Sequence, residues 1–153
     1  MKRFIAVILS VLLFVSLVGC NNTAKVPIEN YDWSMATIQS TENNGAFIVY
    51  DPDIVIDPEY TYSHCAPMKM TCEAKDGKIT ISDKTNNKTY EGTYKVTDKS
   101  PESTIYEITI GEKEGTAVTA MTKYPNGTGM ATLIISVDGY SLNFQTGNIL
   151  ALD

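Results

Sequence analysis

The amino-acid sequence predicts an all-β protein, an antiparallel up-and-down meander of eight or nine strands that closes into a barrel. Apolar and polar residues alternate with period two through most of the chain after residue 30, which gives each strand one apolar and one polar face. Short links join these segments, so consecutive strands must pair antiparallel. No stretch shows the three-and-four apolar spacing of a long helix. A two-sheet β-sandwich is the alternative, although the long crossovers of a Greek key are not evident.

Nine segments carry the strand pattern. Two less regular ones, residues 33–39 and 46–50, come first. An irregular segment at residues 51–67 separates them from the rest and is the natural place for a binding loop. Seven further strands follow with short links, and a closed meander of this kind leaves no exposed sheet edge. These seven are residues 68–75, 78–82, 89–97, 106–110, 116–124, 130–137 and 140–145.

Two of the links are strong hairpin signals. Asp76-Gly77 and Asp138-Gly139 each stand between two alternating segments. A two-residue type I′ turn needs positive φ at both central positions, which Asp and Gly tolerate. We therefore expect tight hairpins at these two places.

The first twenty residues have the features of an export signal. Lys2-Arg3 precedes an apolar run over residues 4–18, which is too short to span a membrane comfortably but suits a signal peptide. The run ends in Leu17-Val18-Gly19-Cys20, which resembles the lipobox of bacterial lipoproteins. The resemblance implies cleavage between Gly19 and Cys20, and diacylglyceryl and fatty-acyl (palmitate-type) modification of Cys20. The alternative is a plain N-terminal anchor in which Cys20 has no role.

These features divide the chain into three parts. They are a signal peptide at residues 1–19, a lipidated cysteine with a polar tether at residues 20–30, and a barrel domain at residues 31–153. Two or three acyl chains hold a protein on a bilayer far more firmly than one. We therefore expect an extracytoplasmic protein with the lipid bilayer as a partner. It would be anchored to the outer face of the cell membrane, or to the outer membrane if the source has two membranes.

The charge of the chain excludes several classes of partner. The net charge is −6, and removal of residues 1–19 makes it −8 because Lys2 and Arg3 are lost. An acidic chain offers no basic surface to phosphates, so no nucleic-acid partner is expected. Arg3 is the only arginine, so the mature chain lacks the fork that captures carboxylate or phosphate through two hydrogen bonds. This argues against a tight anion-binding or phosphoryl-transfer site.

Three short motifs carry a further resemblance. They are the Trp33 strand after the tether, the segment Tyr90-Glu91-Gly92-Thr93-Tyr94, and the pair Gly139-Tyr140 near the end. With them the mature chain resembles small lipocalin-like (calycin-type) lipoproteins of clostridial, low-GC Gram-positive bacteria, over most of residues 30–147. The resemblance implies that the domain is a lipocalin-like β-barrel.

Aromatic residues are the candidate ligand contacts. Alternation places Tyr90, Tyr94, Tyr106 and Tyr140 on inward faces, and Trp33 is expected at one end of the barrel. A small barrel is either filled by side chains or holds one small ligand. A buried tyrosine hydroxyl also needs a hydrogen-bond partner. These five residues therefore either pack the core or line a ligand site.

Two functions correspond to these two possibilities. The first is binding of a small apolar or amphipathic ligand in or at the mouth of the barrel. The alternative is a non-enzymatic interaction or structural role, in which the barrel is filled and a protein of the cell envelope is the partner. A connected interior void of roughly 300 Å³ or more would favour the ligand.

The two remaining cysteines allow three interpretations. Cys65 and Cys72 form an even pair once Cys20 is modified, which favours a disulfide between them in an oxidising compartment. Cys72 lies on the apolar face of its strand, so a buried free thiol is the alternative. A zinc site with His64 would lack an obvious fourth ligand.

No catalytic, metal or cofactor site is predicted. Acids cluster at Asp51, Asp53, Asp57 and Glu59, but their spacing matches no calcium-binding loop. His64 is the only histidine, and the sequence contains neither a Gly-x-Ser-x-Gly elbow nor a glycine-rich phosphate loop. We therefore expect a protein that is not an enzyme and uses no cofactor.

Overall fold

A computed structural model describes residues 26–42, 45–54, 62–100 and 102–152. The expected cleavage site at Gly19, the expected lipidation site at Cys20, and the acids Asp57 and Glu59 lie outside these residues. Within the described ranges the only helix is a short 3-10 turn, Ile28–Asn30. No helix there has the length and apolar content needed to cross a membrane.

The described residues form an all-β protein in which every predicted strand is present. Two additional strands of two residues each, Ala66–Pro67 and Leu150–Ala151, escaped prediction because two residues are too few to show alternation. The strands are β1 (Trp33–Ser40), β2 (Phe47–Tyr50), β3 (Ala66–Pro67), β4 (Met70–Lys75), β5 (Lys78–Asp83), β6 (Lys88–Lys99), β7 (Ser103–Ile110), β8 (Lys113–Lys123), β9 (Thr128–Val137), β10 (Tyr140–Thr146) and β11 (Leu150–Ala151).

Eight of these strands close into a barrel. Strands β4 to β10 each pair antiparallel with the next in sequence, as the meander predicts. Strand β10 then pairs with β1 along its whole length, from Trp33 opposite Thr146 to Ser40 opposite Tyr140. Strand β1 in turn pairs with β4, so no gap is left in the ring. The closing pair of β1 and β10 confirms the barrel and excludes the sandwich.

The two predicted hairpins have the expected backbone. Asp76 and Asp138 have φ of 50° and 51°, and the glycines that follow them have φ of 76° and 79°. Positive φ at both central residues is the requirement of a type I′ turn. Both Asp-Gly pairs therefore set the register of the strands that flank them.

The barrel has two unlike ends, because β1 pairs with two strands along one edge. Near its start, Trp33 and Ser34 pair with β4, whereas further along Thr37 and Ile38 pair with β2. Strand β2 pairs with β3, which lies just before β4 in the chain. Strand β2 is thus inserted into the wall at one end only. Barrel diameter grows with strand number, so this end is the wider one.

We call the end at Trp33 and Thr146 the closed end, because the N-terminal segment covers it. Val26 and Ile28 are each only 1% exposed and belong to the hydrophobic core. The expected tether over residues 20–30 therefore does not extend to residue 30, and the packed domain begins by Val26 instead of residue 31. Val26 and Ile28 flank Pro27, and burial of their apolar side chains is favourable although the rest of the segment is polar.

Residues 26–30, here called the plug, are also fastened by hydrogen bonds. The hydroxyl of Thr119 donates to the carbonyl oxygen of Val26. The backbone N–H of Ile28 donates to the hydroxyl oxygen of Tyr106 over 2.9 Å, and the indole N–H of Trp33 donates to the carbonyl oxygen of Ile28 over 2.8 Å. The buried backbone of the plug thereby finds partners on three strands, as burial requires.

Candidate functional site

The half of the barrel next to the closed end, here called the closed half, is filled by side chains. Trp33 and Phe144 are each 1% exposed, and Met35 and Leu133 are inaccessible to solvent. Registers connect three of them, because Phe144 lies opposite Met35 on one side and Leu133 on the other. Tyr106 is 2% exposed and packs edge-on against Tyr94, with ring centroids 5.7 Å apart. Buried side chains therefore pack this half of the barrel.

The open half, at Ser40 and Tyr140, contains a cavity of about 590 Å³. The side chains that line its interior are apolar, and those at its rim are polar. We call this rim the mouth; it consists of Asp83, Asn86, Lys88, Tyr90, Lys113, Asp138 and Tyr140. The inserted strand contributes directly, because Ile48 of β2 lines the cavity beside Ile38 of β1. The lining consists of Ile38, Ile48, Met68, Met70, Ile81, Asp83, Asn86, Lys88, Tyr90, Ile110, Lys113, Val137, Asp138, Tyr140 and Leu142.

Asp83 is a buried carboxylate at the mouth, and residues of the turn after β5 donate hydrogen bonds to it. Its oxygens accept hydrogen bonds from the backbone N–H groups of Thr85 (3.0 Å) and Asn86 (2.9 Å), and from the Asn86 side-chain amide (2.8 Å). Burial by itself would raise the pKa of Asp83, but these hydrogen bonds and the charge of Lys88 hold the pKa below its ordinary value. Asp83 is therefore ionised at neutral pH.

Two lysines also line the mouth, and they differ in their partners. The ammonium of Lys113 lies 3.0 Å from a carboxylate oxygen of Asp138, and both side chains are more than half exposed. Lys88 forms no ion pair with any residue in the described part of the chain. The mouth therefore presents one cation whose charge is not matched by a direct contact.

Two of the five aromatic residues predicted to contact a ligand line this cavity. Tyr90 and Tyr140 are 41% and 45% exposed, and both lie at the mouth. Trp33 and Tyr106 do not line it, because they are buried in the closed half. Period-two alternation correctly places Tyr106 on an inward face, but it does not say at which depth along the barrel a residue lies.

Tyr94 occupies a third environment, beside the plug. Its hydroxyl donates a hydrogen bond to the carboxylate of Glu29. Burial, and then this hydrogen bond, raise the pKa of Tyr94 to about 12. A recess of about 170 Å³ lies here, lined by Glu29, Tyr94 and neighbouring residues of β6 and β7. Tyr94 thus helps to hold the plug and does not line the main cavity.

Sequence reasoning did not single out several residues that line the cavity. Lys88 stands two positions before Tyr90, so the alternation that selected Tyr90 could also have selected Lys88. Ile48 and Lys113 gave no such signal, because their positions depend on how β2 is inserted and where β8 begins.

The expected disulfide between Cys65 and Cys72 is not formed, and both thiols are free. Cys72 of β4 faces the interior of the barrel and lies opposite Trp33 of β1. Burial raises the pKa of its thiol to about 12. Cys65 precedes β3, and its thiol donates to the carbonyl oxygen of Phe47 over 3.3 Å. The two side chains belong to different surroundings, so their closeness in sequence does not bring them together.

Asp51, Asp53 and His64, which the structure describes, show no shared site. Asp51 is buried and accepts a hydrogen bond from the backbone N–H of Asp53 (2.9 Å), and Asp53 forms an ion pair with Lys69. No three His, Cys, Asp or Glu residues come together as metal ligands within the described ranges. His64 is exposed and makes no hydrogen bond to a carboxylate among the residues that the structure describes.

Comparison with known protein families, with curated proteins and with solved structures finds no match for this chain.

Proposed function

We propose that this chain is an extracytoplasmic lipoprotein, anchored through an acylated Cys20, whose barrel binds a small apolar or amphipathic molecule in the cavity at the open end. The cavity of about 590 Å³ is the observation that carries the proposal. Small-molecule sites are concave, mostly apolar, roughly 300–1,000 Å³ in volume, and have a few polar groups that orient the ligand. The open half matches each of these features.

The closed half gives the binding site its floor. The side chains around Phe144 and the plug fill the barrel below the cavity, so a ligand enters through the mouth. A barrel filled throughout, with a protein partner in the cell envelope, is the alternative function. The void at the mouth exceeds the size at which a small ligand is the better interpretation, so we favour the ligand.

The position of the plug gives the anchored protein an orientation. Cys20 precedes the buried Val26 by six positions, which span at most roughly 20 Å when fully extended. The acyl chains therefore hold the closed end near the bilayer. The mouth lies at the opposite end of the barrel and faces away from the membrane, toward molecules outside the cell.

Native mass spectrometry tests the ligand site. The protein is purified from cells that express the full chain, held in phosphatidylcholine nanodiscs, and mixed with equal amounts of dodecanoate, dodecanol and dodecyltrimethylammonium, which each carry one saturated twelve-carbon chain. We expect an adduct, either co-purified or taken up from the mixture. Ile110→Trp should abolish the adduct because Ile110 lines the cavity. Ile134→Trp is the control, because Ile134 is 42% exposed on the outer face of β9.

The outcome depends on the comparison of these two variants. Loss of the adduct in Ile110→Trp alone supports the cavity as the site. Bare wild-type protein, or an adduct that survives in both variants, would overturn the proposed ligand site. A folded Ile110→Trp is confirmed by a thermal unfolding transition before the comparison is made.

Metabolic labelling with an alkyne-tagged palmitate tests the anchor. We expect label on the wild-type protein and on Cys65→Ser, and none on Cys20→Ser, because the lipobox resemblance assigns acylation to Cys20. Cys65→Ser is a matched control, since it makes the same substitution at a cysteine whose thiol is free. Equal labelling of Cys20→Ser would show that the anchor lies elsewhere.

A further inference from the structure

Four charged side chains line the mouth, and three of them already have partners. Asp83 accepts three hydrogen bonds from the turn that follows β5. Lys113 and Asp138 form an ion pair with each other over 3.0 Å. Lys88 lies opposite Asp83 in the pairing of β5 and β6, and its charge helps to lower the pKa of Asp83, but it forms no ion pair within the described part of the chain. A bound molecule can therefore approach the ammonium of Lys88 without breaking an existing pair.

The surroundings of Lys88 set which part of a ligand would reach it. Lys88 is the first residue of β6 and shares an inward face with Tyr90, whose side chain is 41% exposed at the mouth. Tyr140 presents a second hydroxyl at the same mouth. Deeper in the cavity the wall consists of apolar side chains such as Ile81 and Leu142. A molecule with its apolar part inside would thus place its polar end near the ammonium of Lys88 and two tyrosine hydroxyls. The Asp83 carboxylate and the Lys113–Asp138 ion pair line the same mouth.

We propose that the cavity selects amphiphiles with an anionic head group, which Lys88 binds at the mouth while the apolar tail lies inside the barrel. This rests on the proposed ligand site and adds the class of ligand. Hydroxyls of Tyr90 and Tyr140 donate hydrogen bonds to the same head group. Lysine is a point charge and lacks the two-pronged grip of arginine, and the mature chain has no arginine. Asp83 also lies nearby, so the selectivity is modest.

The three-probe mixture described above measures this selectivity, because the probes have chains of the same carbon number but different head groups, and each is identified by its mass. At pH 8 we expect dodecanoate to occupy the wild-type protein about tenfold more than dodecanol, the order expected for a charge-assisted hydrogen bond at a partly exposed site. Dodecyltrimethylammonium should bind least. Empty nanodiscs correct for partition of each probe into lipid.

Substitutions at Lys88 identify the source of the preference. Lys88→Gln should bring dodecanoate and dodecanol to similar occupancy, and Lys88→Glu should favour the cationic probe. Lys84→Gln is the matched control, because this substitution makes the same change in net charge. Lys84 is exposed on the neighbouring turn and does not line the cavity. It should retain the preference for dodecanoate.

Each outcome decides the inference. Equal occupancy by all three probes on the wild-type protein overturns it while leaving the ligand site intact. The same holds if Lys88→Gln keeps the preference, or if Lys84→Gln loses it as well. Bare wild-type protein, with neither a co-purified adduct nor any probe, overturns the ligand site itself, and the head-group assignment with it.

Discussion

The two ends of this barrel are built from the same alternating strands, yet one is solid and the other is hollow. At the closed end, β1 pairs directly with β4 and the plug seals the opening. At the open end, β2 is inserted beside β1 and the wall widens around a cavity of about 590 Å³. We therefore expect the closed end to contribute more of the stability than the open end.

Large-to-small substitutions on one strand should separate the two ends most strongly. Phe144 and Leu142 are both inward residues of β10, but Phe144 packs in the closed half and Leu142 lines the cavity. Phe144→Ala should lower the free energy of unfolding by about 3–5 kcal/mol, as expected for a filled core. Leu142→Ala should cost only about 2 kcal/mol, since it enlarges an existing cavity. Urea denaturation measures both, and equal losses would contradict the division into two halves.

Removal of single hydroxyl groups should show the same contrast between the two ends, with smaller changes in the free energy of unfolding. Tyr106→Phe leaves the buried N–H of Ile28 without its partner and should cost about 1–3 kcal/mol. Tyr140→Phe should change the free energy of unfolding by less than about 0.5 kcal/mol, because Tyr140 is 45% exposed at the mouth. Thermal unfolding of the two variants provides the comparison. A large effect at Tyr140 would mean that the mouth is more tightly packed than its exposure indicates.

Acid sensitivity should arise at the open end, from Asp83. Its pKa in the folded protein lies below the ordinary value, so ionised Asp83 stabilises the fold at pH values above the unfolded pKa of about 4. This contribution is lost as the pH falls through the lowered, folded pKa. The difference in unfolding free energy between the wild-type protein and Asp83→Asn should therefore shrink between pH 6 and pH 2. A difference that stays constant over this range would contradict the assignment.

The ion pair at the mouth should have the smallest effect. Lys113 and Asp138 are both more than half exposed, so water and salt screen their attraction. Lys113→Gln should cost less than about 1 kcal/mol, and the loss should decrease further at high salt. A double-mutant cycle with Asp138→Asn isolates the pairwise energy, and a coupling well above 1 kcal/mol would show that the mouth is less hydrated than the exposures indicate.

Local patterns in the sequence predict the strands well, because alternation and turn chemistry depend on a few adjacent residues. The Asp76-Gly77 and Asp138-Gly139 hairpins and the seven-strand meander follow from such patterns, and the structure confirms them. The same patterns identified Tyr90 and Tyr140, which line the cavity. They also selected Tyr106, which is buried in the closed half, because alternation specifies a face and not a depth.

Contacts between distant segments could not be predicted in this way. Val26 and Ile28 stand in a polar stretch, and only the three-dimensional structure shows them buried against Tyr106 and Thr119, far away in sequence. Cys65 and Cys72 are close in the chain, yet the fold directs their thiols to different surroundings.

The sequence by itself determined that this protein is an antiparallel meander of short, tightly connected strands, because the periodicity of side chains and the φ requirements of turns are local properties. The pairing of β1 with β10, which closes the meander into a barrel, joins residues far apart in the chain and was decided by the tertiary structure. Only the tertiary structure decided which end is filled, which end is hollow and which charged groups meet at the mouth. Those features depend on where β2 enters the wall and where the plug is seated, and both are set by packing and hydrogen bonds between residues far apart in the chain.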